Sequence, residues 1–102
     1  MKKIKAYIID DNVEAAEVLQ ILMEKHYPVE VIGTATNAYD AIDDLAEKTT
    51  DIIFLDIEMP GISGLEFCQI IRQQISPETK VVFYSAHDHY AIDALRREAF
   101  DF

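Results

Sequence analysis

The fold of this chain is decided by the stretch Asp51-Ile52-Ile53-Phe54-Leu55-Asp56-Ile57-Glu58-Met59-Pro60-Gly61. Its first half is a short apolar run of branched and aromatic residues bounded by turn formers, which predicts a strand buried on both faces. Such strands belong to parallel sheets that are covered by helices. Asp56 would then lie at the carboxyl end of a central strand, where open α/β sheets bind their ligands. The Pro-Gly pair that follows predicts an immediate turn, so the carboxylate would stay at the rim.

Predicted strands and helices alternate along the rest of the chain. Strands are predicted over four segments: 4–9, 29–35, 52–55 and 80–84. Capping patterns that start helices follow the first three strands: Asp11 with Glu14, Asn37 with Asp40, and Ser63 with Glu66. A fourth helix is predicted over 89–98. Four repeats of strand and helix with short connections predict an α/β doubly wound parallel sheet.

The predicted helices have apolar residues at helical spacing, which we expect to form their buried faces. In the first helix these residues are Ala15, Val18, Leu19, Leu22 and Met23. In the third helix they are Leu65, Phe67, Cys68, Ile70 and Ile71. The helices would therefore pack on the sheet through these positions.

Length and composition limit the function classes that are open to this chain. Its 102 residues predict one domain, and the net charge of −10 argues against direct binding of nucleic acid by this segment. No apolar run reaches the roughly 20 residues of a membrane span, and no signal-peptide core follows the start. Cys68 is the single cysteine, which excludes a disulfide framework within the chain. A cytoplasmic location is the expectation.

Acidic residues end two of the predicted strands. Asp10 and Asp11 follow the first strand and Asp56 follows the third. Because the carboxyl ends of parallel strands share one edge of a sheet, these side chains can converge if the strands are neighbours. Three carboxylates together favour a hard cation such as Mg²⁺, and a carboxylate beside that ion can attack phosphorus. Ser85, at the end of the fourth strand, would offer a hydroxyl group to the phosphoryl group.

Several of these residues carry a resemblance to a known family. They are the runs Ile8-Ile9-Asp10-Asp11-Asn12, Phe54-Leu55-Asp56-Ile57-Glu58-Met59-Pro60-Gly61 and Tyr84-Ser85-Ala86, together with Gly64. The chain resembles, over its whole length, the receiver domain of bacterial two-component response regulators. The resemblance implies a flavodoxin-like fold with a five-stranded parallel sheet in the order 2-1-3-4-5.

The resemblance also implies a role for each candidate site residue. Asp56 would be the phosphoacceptor that receives a phosphoryl group from a histidine kinase. The ligands of Mg²⁺ would be Asp10, Asp11, Asp56 and the main-chain carbonyl of Glu58. Ser85 stands at the position of the family's switch hydroxyl, which also hydrogen-bonds the phosphoryl group. Phe102 stands at the position of the switch aromatic residue.

The C-terminal part implies a subfamily and also a departure from the family pattern. The runs 85–92 and 99–102 are similar to those of receivers linked to LytTR-type DNA-binding domains, which implies such an output domain in the full-length protein. Receivers carry a Lys at the end of strand five, and the sequence stops before that position. We therefore expect residues 1–102 to be a C-terminally incomplete receiver domain that lacks most of strand five and helix five. The uncovered fourth strand would favour oligomerisation or domain swapping.

Two other functions remain open from the sequence. The first is a receiver-like interaction module with impaired phosphorylation, because the phosphoryl-binding Lys is missing. The second is a phosphatase of the haloacid-dehalogenase type, which also places a nucleophilic Asp after an apolar strand. In that family a second Asp follows two residues later, whereas Glu58 occupies this position, and the Asp10-Asp11 pair has no role there. The receiver is therefore preferred, as a phosphoryl-accepting regulatory domain and not an enzyme.

Overall fold

A computed structural model describes residues 2–57, 59 and 61–84 of the chain. Within them, four strands alternate with three α-helices: β1 (Ile4–Ile9), α1 (Val13–His26), β2 (Val29–Ala35), α2 (Ala38–Leu45), β3 (Ile52–Asp56), α3 (Gly64–Ile70) and β4 (Lys80–Tyr84). A π-helical turn, Ile71–Ile75, continues α3. The four predicted strands are confirmed. The fourth predicted helix, over 89–98, lies outside the described residues.

The described strands form a parallel sheet in the order β2-β1-β3-β4. This order confirms the predicted doubly wound architecture. β1 and β3 are neighbours, with Ile9 opposite Leu55, and β3 in turn pairs with β4, with Asp56 opposite Tyr84. The carboxyl ends of β1, β3 and β4 therefore meet at one rim of the sheet.

Hydrophobic cores lie on both sides of the sheet, because successive strand residues face opposite sides. The core under α1 includes Ile8, Phe54 and Tyr84. The core under α2 and α3 includes Ile9 and Leu55. By the same alternation, Asp10 and Asp56 continue the α1 side of their strands, two residues beyond Ile8 and Phe54. The acids and the end of β4 therefore share one side of the sheet.

The start of α1 differs from the predicted capping box. Asn12 is the N-cap of the helix, and its side-chain oxygen accepts a hydrogen bond from the N–H of Ala15 at 3.1 Å. The predicted cap, Asp11 with Glu14, is therefore wrong by one residue. The shift leaves Asp11 outside the helix and exposed in the turn above β1.

The buried face of α1 also differs from the predicted one. Ala16, Leu19 and Met23 are buried, whereas Val18 and Leu22 are 57% and 40% exposed. Apolar residues lie on most sides of this helix, so the sequence pattern alone leaves its rotation undetermined. Successive helix residues are about 100° apart, so Val18 lies roughly on the opposite side of α1 from the buried Ala16.

The caps of the other two α-helices are confirmed. The side-chain oxygen of Asn37 accepts a hydrogen bond from the N–H of Asp40 at 2.8 Å, and Ser63 Oγ accepts one from the N–H of Glu66 at 3.1 Å. Leu65 was predicted to be buried and is 71% exposed, because it lies in the first turn of α3 on the side away from the sheet. Among the described residues, no helix combines the length and the hydropathy that a membrane span requires.

A polar network lies on the α2 side of the sheet, away from the acids at the rim. The phenol of Tyr7 donates a hydrogen bond to Asp44 Oδ2 at 2.8 Å, and Lys48 Nζ lies 3.1 Å from the same oxygen. Lys48 also donates to the carbonyl of Ile32 at 3.2 Å and lies 5.9 Å from the centre of the Tyr7 ring. Gly33 makes room for this ring, because a Cβ atom at this position would lie 2.8 Å from Tyr7 Cε2.

Candidate functional site

Three carboxylates converge at the rim where β1 and β3 end. Asp10, Asp11 and Asp56 each offer an oxygen, and these oxygens all lie within 4.8 Å of one another. Asp10 and Asp56 are buried, with 1% and 5% of their surfaces exposed, whereas Asp11 is exposed. The register explains this convergence, because β1 and β3 are adjacent and end at the same level.

Local backbone contacts fix the position of Asp10. Its N–H donates to the carbonyl of Ala35 at 3.0 Å, which ties the end of β1 to the end of β2. Its Oδ1 accepts a hydrogen bond from the N–H of Asn12 at 2.9 Å. Asn12 then starts α1, so the turn between strand and helix holds Asp10 inward and presents Asp11 to solvent.

Tyr84 is a fourth polar residue of the site that the sequence reasoning missed. Its phenol donates a buried hydrogen bond of 2.6 Å to Asp10 Oδ2. Burial, the hydrogen bond to Asp10 and the nearby charges of Asp56 and Asp11 all raise the pKa of Tyr84, so the phenol stays protonated and acts as a donor. The sequence did contain a signal, because Tyr84 lies two residues after Val82 and ends β4 at the rim that carries the acids.

The chemistry of these donors fits a hard divalent cation. Three carboxylates within one small region repel one another, and a bound cation relieves that repulsion. Carboxylate oxygens are preferred by Mg²⁺ and Ca²⁺, whereas zinc and copper sites usually contain histidine or cysteine. The described cluster consists of aspartates alone, so it could hold Mg²⁺ or Ca²⁺.

The remaining predicted site residues cannot be placed in this geometry. Glu58, Ser85 and Phe102 lie outside the described residues. β3 ends at Asp56, and Ile57 follows in a turn, where its N–H still donates to the carbonyl of Tyr84 at 2.9 Å. Gly61 has a φ of 110°, a backbone conformation that favours glycine. The next described helix, α3, begins only at Gly64, so Asp56 is not carried into a helix.

Comparisons with known proteins agree with this architecture. Residues 6–102 match the family model described as the response regulator receiver domain. The transcriptional regulatory protein BtsR of Salmonella typhi is 40% identical over 99 residues, which cover 97% of this chain and 41% of that protein. The sensory transduction protein LytT of Bacillus cereus is 34% identical over 99 residues, which cover 97% of this chain and 40% of LytT. The chain thus spans about two fifths of the length of these relatives.

Solved structures show the same fold. The response regulatory domain of mrkE from Klebsiella pneumoniae matches with a TM-score of 0.70 and 31% identity over 95% of this chain and 79% of that one. The response regulator domain of CheB from Thermotoga maritima matches with a TM-score of 0.71 and 27% identity over 97% of this chain and 75% of that one. The chain therefore belongs to the response regulator receiver domain family, a regulatory family of phosphoacceptor signalling domains.

Proposed function

We propose that Asp56 is the residue that accepts the phosphoryl group in this receiver domain, with Mg²⁺ bound beside it. One observation carries the assignment: the Asp56 carboxylate ends a central strand within 4.8 Å of the carboxylates of Asp10 and Asp11. Such an arrangement brings a nucleophile and a cation site together at the rim of the sheet, where open α/β folds act on their ligands.

The chemistry is the transfer of a phosphoryl group from a donor to the Asp56 carboxylate. An oxygen of the Asp56 carboxylate attacks phosphorus, and the bond from phosphorus to the donor breaks. The products are an acyl phosphate on Asp56 and the released donor. When the donor is a phosphohistidine, the P–N bond breaks and the leaving group is the imidazole of the histidine. A divalent cation supplies charge compensation for the phosphoryl oxygens and the carboxylates. The chain contributes a fixed nucleophile, because Asp56 is buried at the end of a paired strand.

The proposed cation ligands are the residues that the resemblance indicated. Asp10, Asp11 and Asp56 would hold Mg²⁺ with the main-chain carbonyl of Glu58. Ser85 directly follows Tyr84 at the end of β4, and its hydroxyl group would donate a hydrogen bond to the phosphoryl group. Ser85 and Phe102 would act as the switch pair that reports phosphorylation to a partner.

The partners follow from the family. Receivers take phosphoryl groups from histidine kinases, and several relatives of this chain are named as transcriptional regulatory proteins. Because LytT is also a relative, we assign a histidine kinase as donor and a LytTR-type DNA-binding domain as output in the full-length protein. A domain that links a kinase to a transcriptional regulator works in the cytoplasm.

Two further properties belong to this proposal. The domain would accept and lose its own phosphoryl group without turning over an external substrate, so an assay with a small aryl phosphate should show no steady turnover.

Residues 1–102 would form a single receiver unit that associates through β4. Within the described residues β4 pairs with β3 alone, and Phe83 is 43% exposed on it. Light scattering should therefore detect a dimer or larger species, and a purely monomeric sample would contradict this part.

Intact-mass analysis after incubation with acetyl phosphate tests the assignment. The wild-type protein should gain the mass of one phosphoryl group in the presence of Mg²⁺ and none in EDTA, and Asp56→Asn should gain none. Asp51→Asn is the matched control, because Asp51 precedes the opposite end of β3 and its carboxylate accepts from the N–H of Lys5 at 2.8 Å. This variant should be labelled like the wild type. Equal labelling of Asp56→Asn would refute the assignment.

A further inference from the structure

We propose that Tyr84 competes with the cation for Asp10: its phenol donates a hydrogen bond to one oxygen of Asp10 and thereby lowers the affinity of the acid cluster for Mg²⁺. The inference rests on the proposed function, because it assumes that the three aspartates hold a divalent cation.

The hydrogen bond from Tyr84 to Asp10 connects strands that are not neighbours. β3 lies between β1 and β4, and Tyr84 is the register partner of Asp56 on β3. To reach Asp10 Oδ2 at 2.6 Å, the phenol must extend past the end of β3 on the α1 side of the sheet. The tyrosine hydroxyl therefore lies beside the same carboxylates that would surround the cation.

Both oxygens of Asp10 already accept hydrogen bonds from the protein. Asn12 N–H donates to Oδ1 at 2.9 Å, and the Tyr84 phenol donates to Oδ2 at 2.6 Å. Asp10 is also 1% exposed, so these donors compensate a carboxylate that water scarcely reaches. A carboxylate oxygen has more than one lone pair, so the bonds do not block a cation. They do lower the negative charge that Asp10 offers to it.

Removal of the phenol hydroxyl should therefore strengthen cation binding. Without this donor, the repulsion among the three aspartates in the cation-free protein is less well compensated. Binding of the cation would then be more favourable, because it would relieve a stronger repulsion among the three aspartates. A hydrogen bond to a buried charge is stronger than one between neutral groups, but part of the Tyr84 bond would persist beside the cation. We therefore expect a moderate effect, in which Tyr84→Phe binds Mg²⁺ about threefold to tenfold more tightly.

A purely structural role for Tyr84 predicts the opposite sign. If the phenol only held Asp10 in place for binding, its removal would disorder the carboxylate and weaken the affinity for Mg²⁺. Tyr7 provides the matched control on the other side of the sheet, since it is also buried and also donates to a carboxylate, that of Asp44 at 2.8 Å. Tyr7→Phe removes an equivalent hydroxyl group from outside the cluster and should leave the affinity unchanged.

The experiment is a Mg²⁺ titration of the wild type, Tyr84→Phe and Tyr7→Phe, followed by the backbone amide NMR shifts of Asp11 and Asn12. Tighter binding by Tyr84→Phe alone supports the inference. Unchanged or weaker binding by Tyr84→Phe overturns it, as does equal tightening by both variants. Failure of the wild type to bind Mg²⁺ would overturn the proposed cation site and this inference together, whereas the preceding results overturn this inference alone.

A second measurement needs no variant, so it holds even if Tyr84→Phe does not fold. A buried hydroxyl proton in a hydrogen bond of 2.6 Å should exchange slowly with water and give its own downfield NMR resonance. If a bound cation competes for Asp10, saturating Mg²⁺ should move this resonance upfield. A resonance that stays at its position while the amides of the site shift would overturn the inference.

Discussion

The two sides of the sheet each contain a buried tyrosine that donates to an aspartate. Tyr7 donates to Asp44 at 2.8 Å under α2, and Tyr84 donates to Asp10 at 2.6 Å at the rim. Burial is the largest cause that raises the pKa of each phenol, followed by the hydrogen bond to the carboxylate. The two pairs are therefore chemically alike, and their surroundings make the difference.

Asp44 has a cation of its own, whereas Asp10 lies among other acids. Lys48 Nζ lies 3.1 Å from Asp44 Oδ2, and both side chains are partly exposed, so that charge is compensated locally. Asp10 instead has Asp11 and Asp56 within 4.8 Å. The same tyrosine–aspartate unit thus completes a structural network on one side and belongs to the proposed cation site on the other. The neighbouring charges, and not the hydrogen bond from tyrosine to aspartate, distinguish the structural network from the proposed functional site.

The largest effect on the free energy of unfolding is expected from a steric clash with the buried ring of Tyr7. Gly33→Ala should destabilise the fold by about 1–3 kcal/mol, because the new Cβ would meet the Tyr7 ring, which is 1% exposed and cannot move away. Gly64→Ala is the control, since its Cβ would meet the ring of Phe83, which is 43% exposed and can rotate into solvent. Urea unfolding should rank Gly33→Ala as the less stable variant; the reverse order would contradict this reading of the two contacts.

Replacing Asp10 and Asp44, one at a time, by asparagine should change the stability of the protein in opposite directions. Without added cation, Asp10→Asn should stabilise the protein by about 1–2 kcal/mol, because it removes one of three mutually repelling charges. The new amide can still accept from the N–H of Asn12 and donate to the phenol oxygen of Tyr84. Asp44→Asn should destabilise the protein, because Tyr7 and Lys48 lose their charged acceptor. Thermal unfolding in EDTA measures both, and a loss of stability in Asp10→Asn would break the contrast.

The pH dependence of stability should isolate the Tyr7–Asp44 pair. The hydrogen bond from Tyr7 and then that from Lys48 lower the pKa of Asp44 below its ordinary 3.8, so its contribution is present above that pH and is lost as pH falls further. The pKa of Tyr7 is raised above its ordinary 10.0, so its contribution is present below pH 10 and is lost as pH rises beyond it. The stability difference between wild type and Tyr7→Phe should therefore be widest between these limits. A difference that is constant with pH would contradict the coupling.

The smallest effect is expected from the lysine. Lys48→Met keeps most of the aliphatic stem and removes the charge beside Asp44, and both side chains are more than a third exposed. Exposed ion pairs contribute little and are screened by salt, so we expect a loss of about 0.5 kcal/mol or less that shrinks further in high salt. Urea unfolding at two salt concentrations measures it. A loss as large as that of Asp44→Asn would mean that Lys48 and not Tyr7 dominates this network.

The strands and the position of the acids could be predicted from the sequence, because continuous apolar runs and their ends are local patterns. The helix caps at Asn37 and Ser63 were equally local. The cap at Asn12 was missed because Asp11 is as good a capping residue and the choice depends on how β1 ends. The rotation of α1 was missed because Val18 and Ala16 are both apolar and only packing on the sheet distinguishes them.

The contact between Tyr84 and Asp10 was missed for another reason. The two residues are 74 positions apart, and they meet only because β1, β3 and β4 end at the same rim. No local pattern contains that information. Because alternate residues of a strand face the same side of the sheet, the sequence could have placed Tyr84 on the α1 side together with Val82. Whether its phenol reaches Asp10 across β3 depends on the register between β3 and β4.

The most direct test of the phosphoacceptor assignment is to locate the acyl phosphate chemically. After reaction with acetyl phosphate, borohydride reduces an aspartyl phosphate to homoserine, and peptide mapping then identifies its position. We expect homoserine at position 56 alone, in samples that contain Mg²⁺ and not in samples with EDTA. Homoserine at position 10 or 11, or at none of the three positions, would contradict the central claim that Asp56 is the nucleophile of this acid cluster.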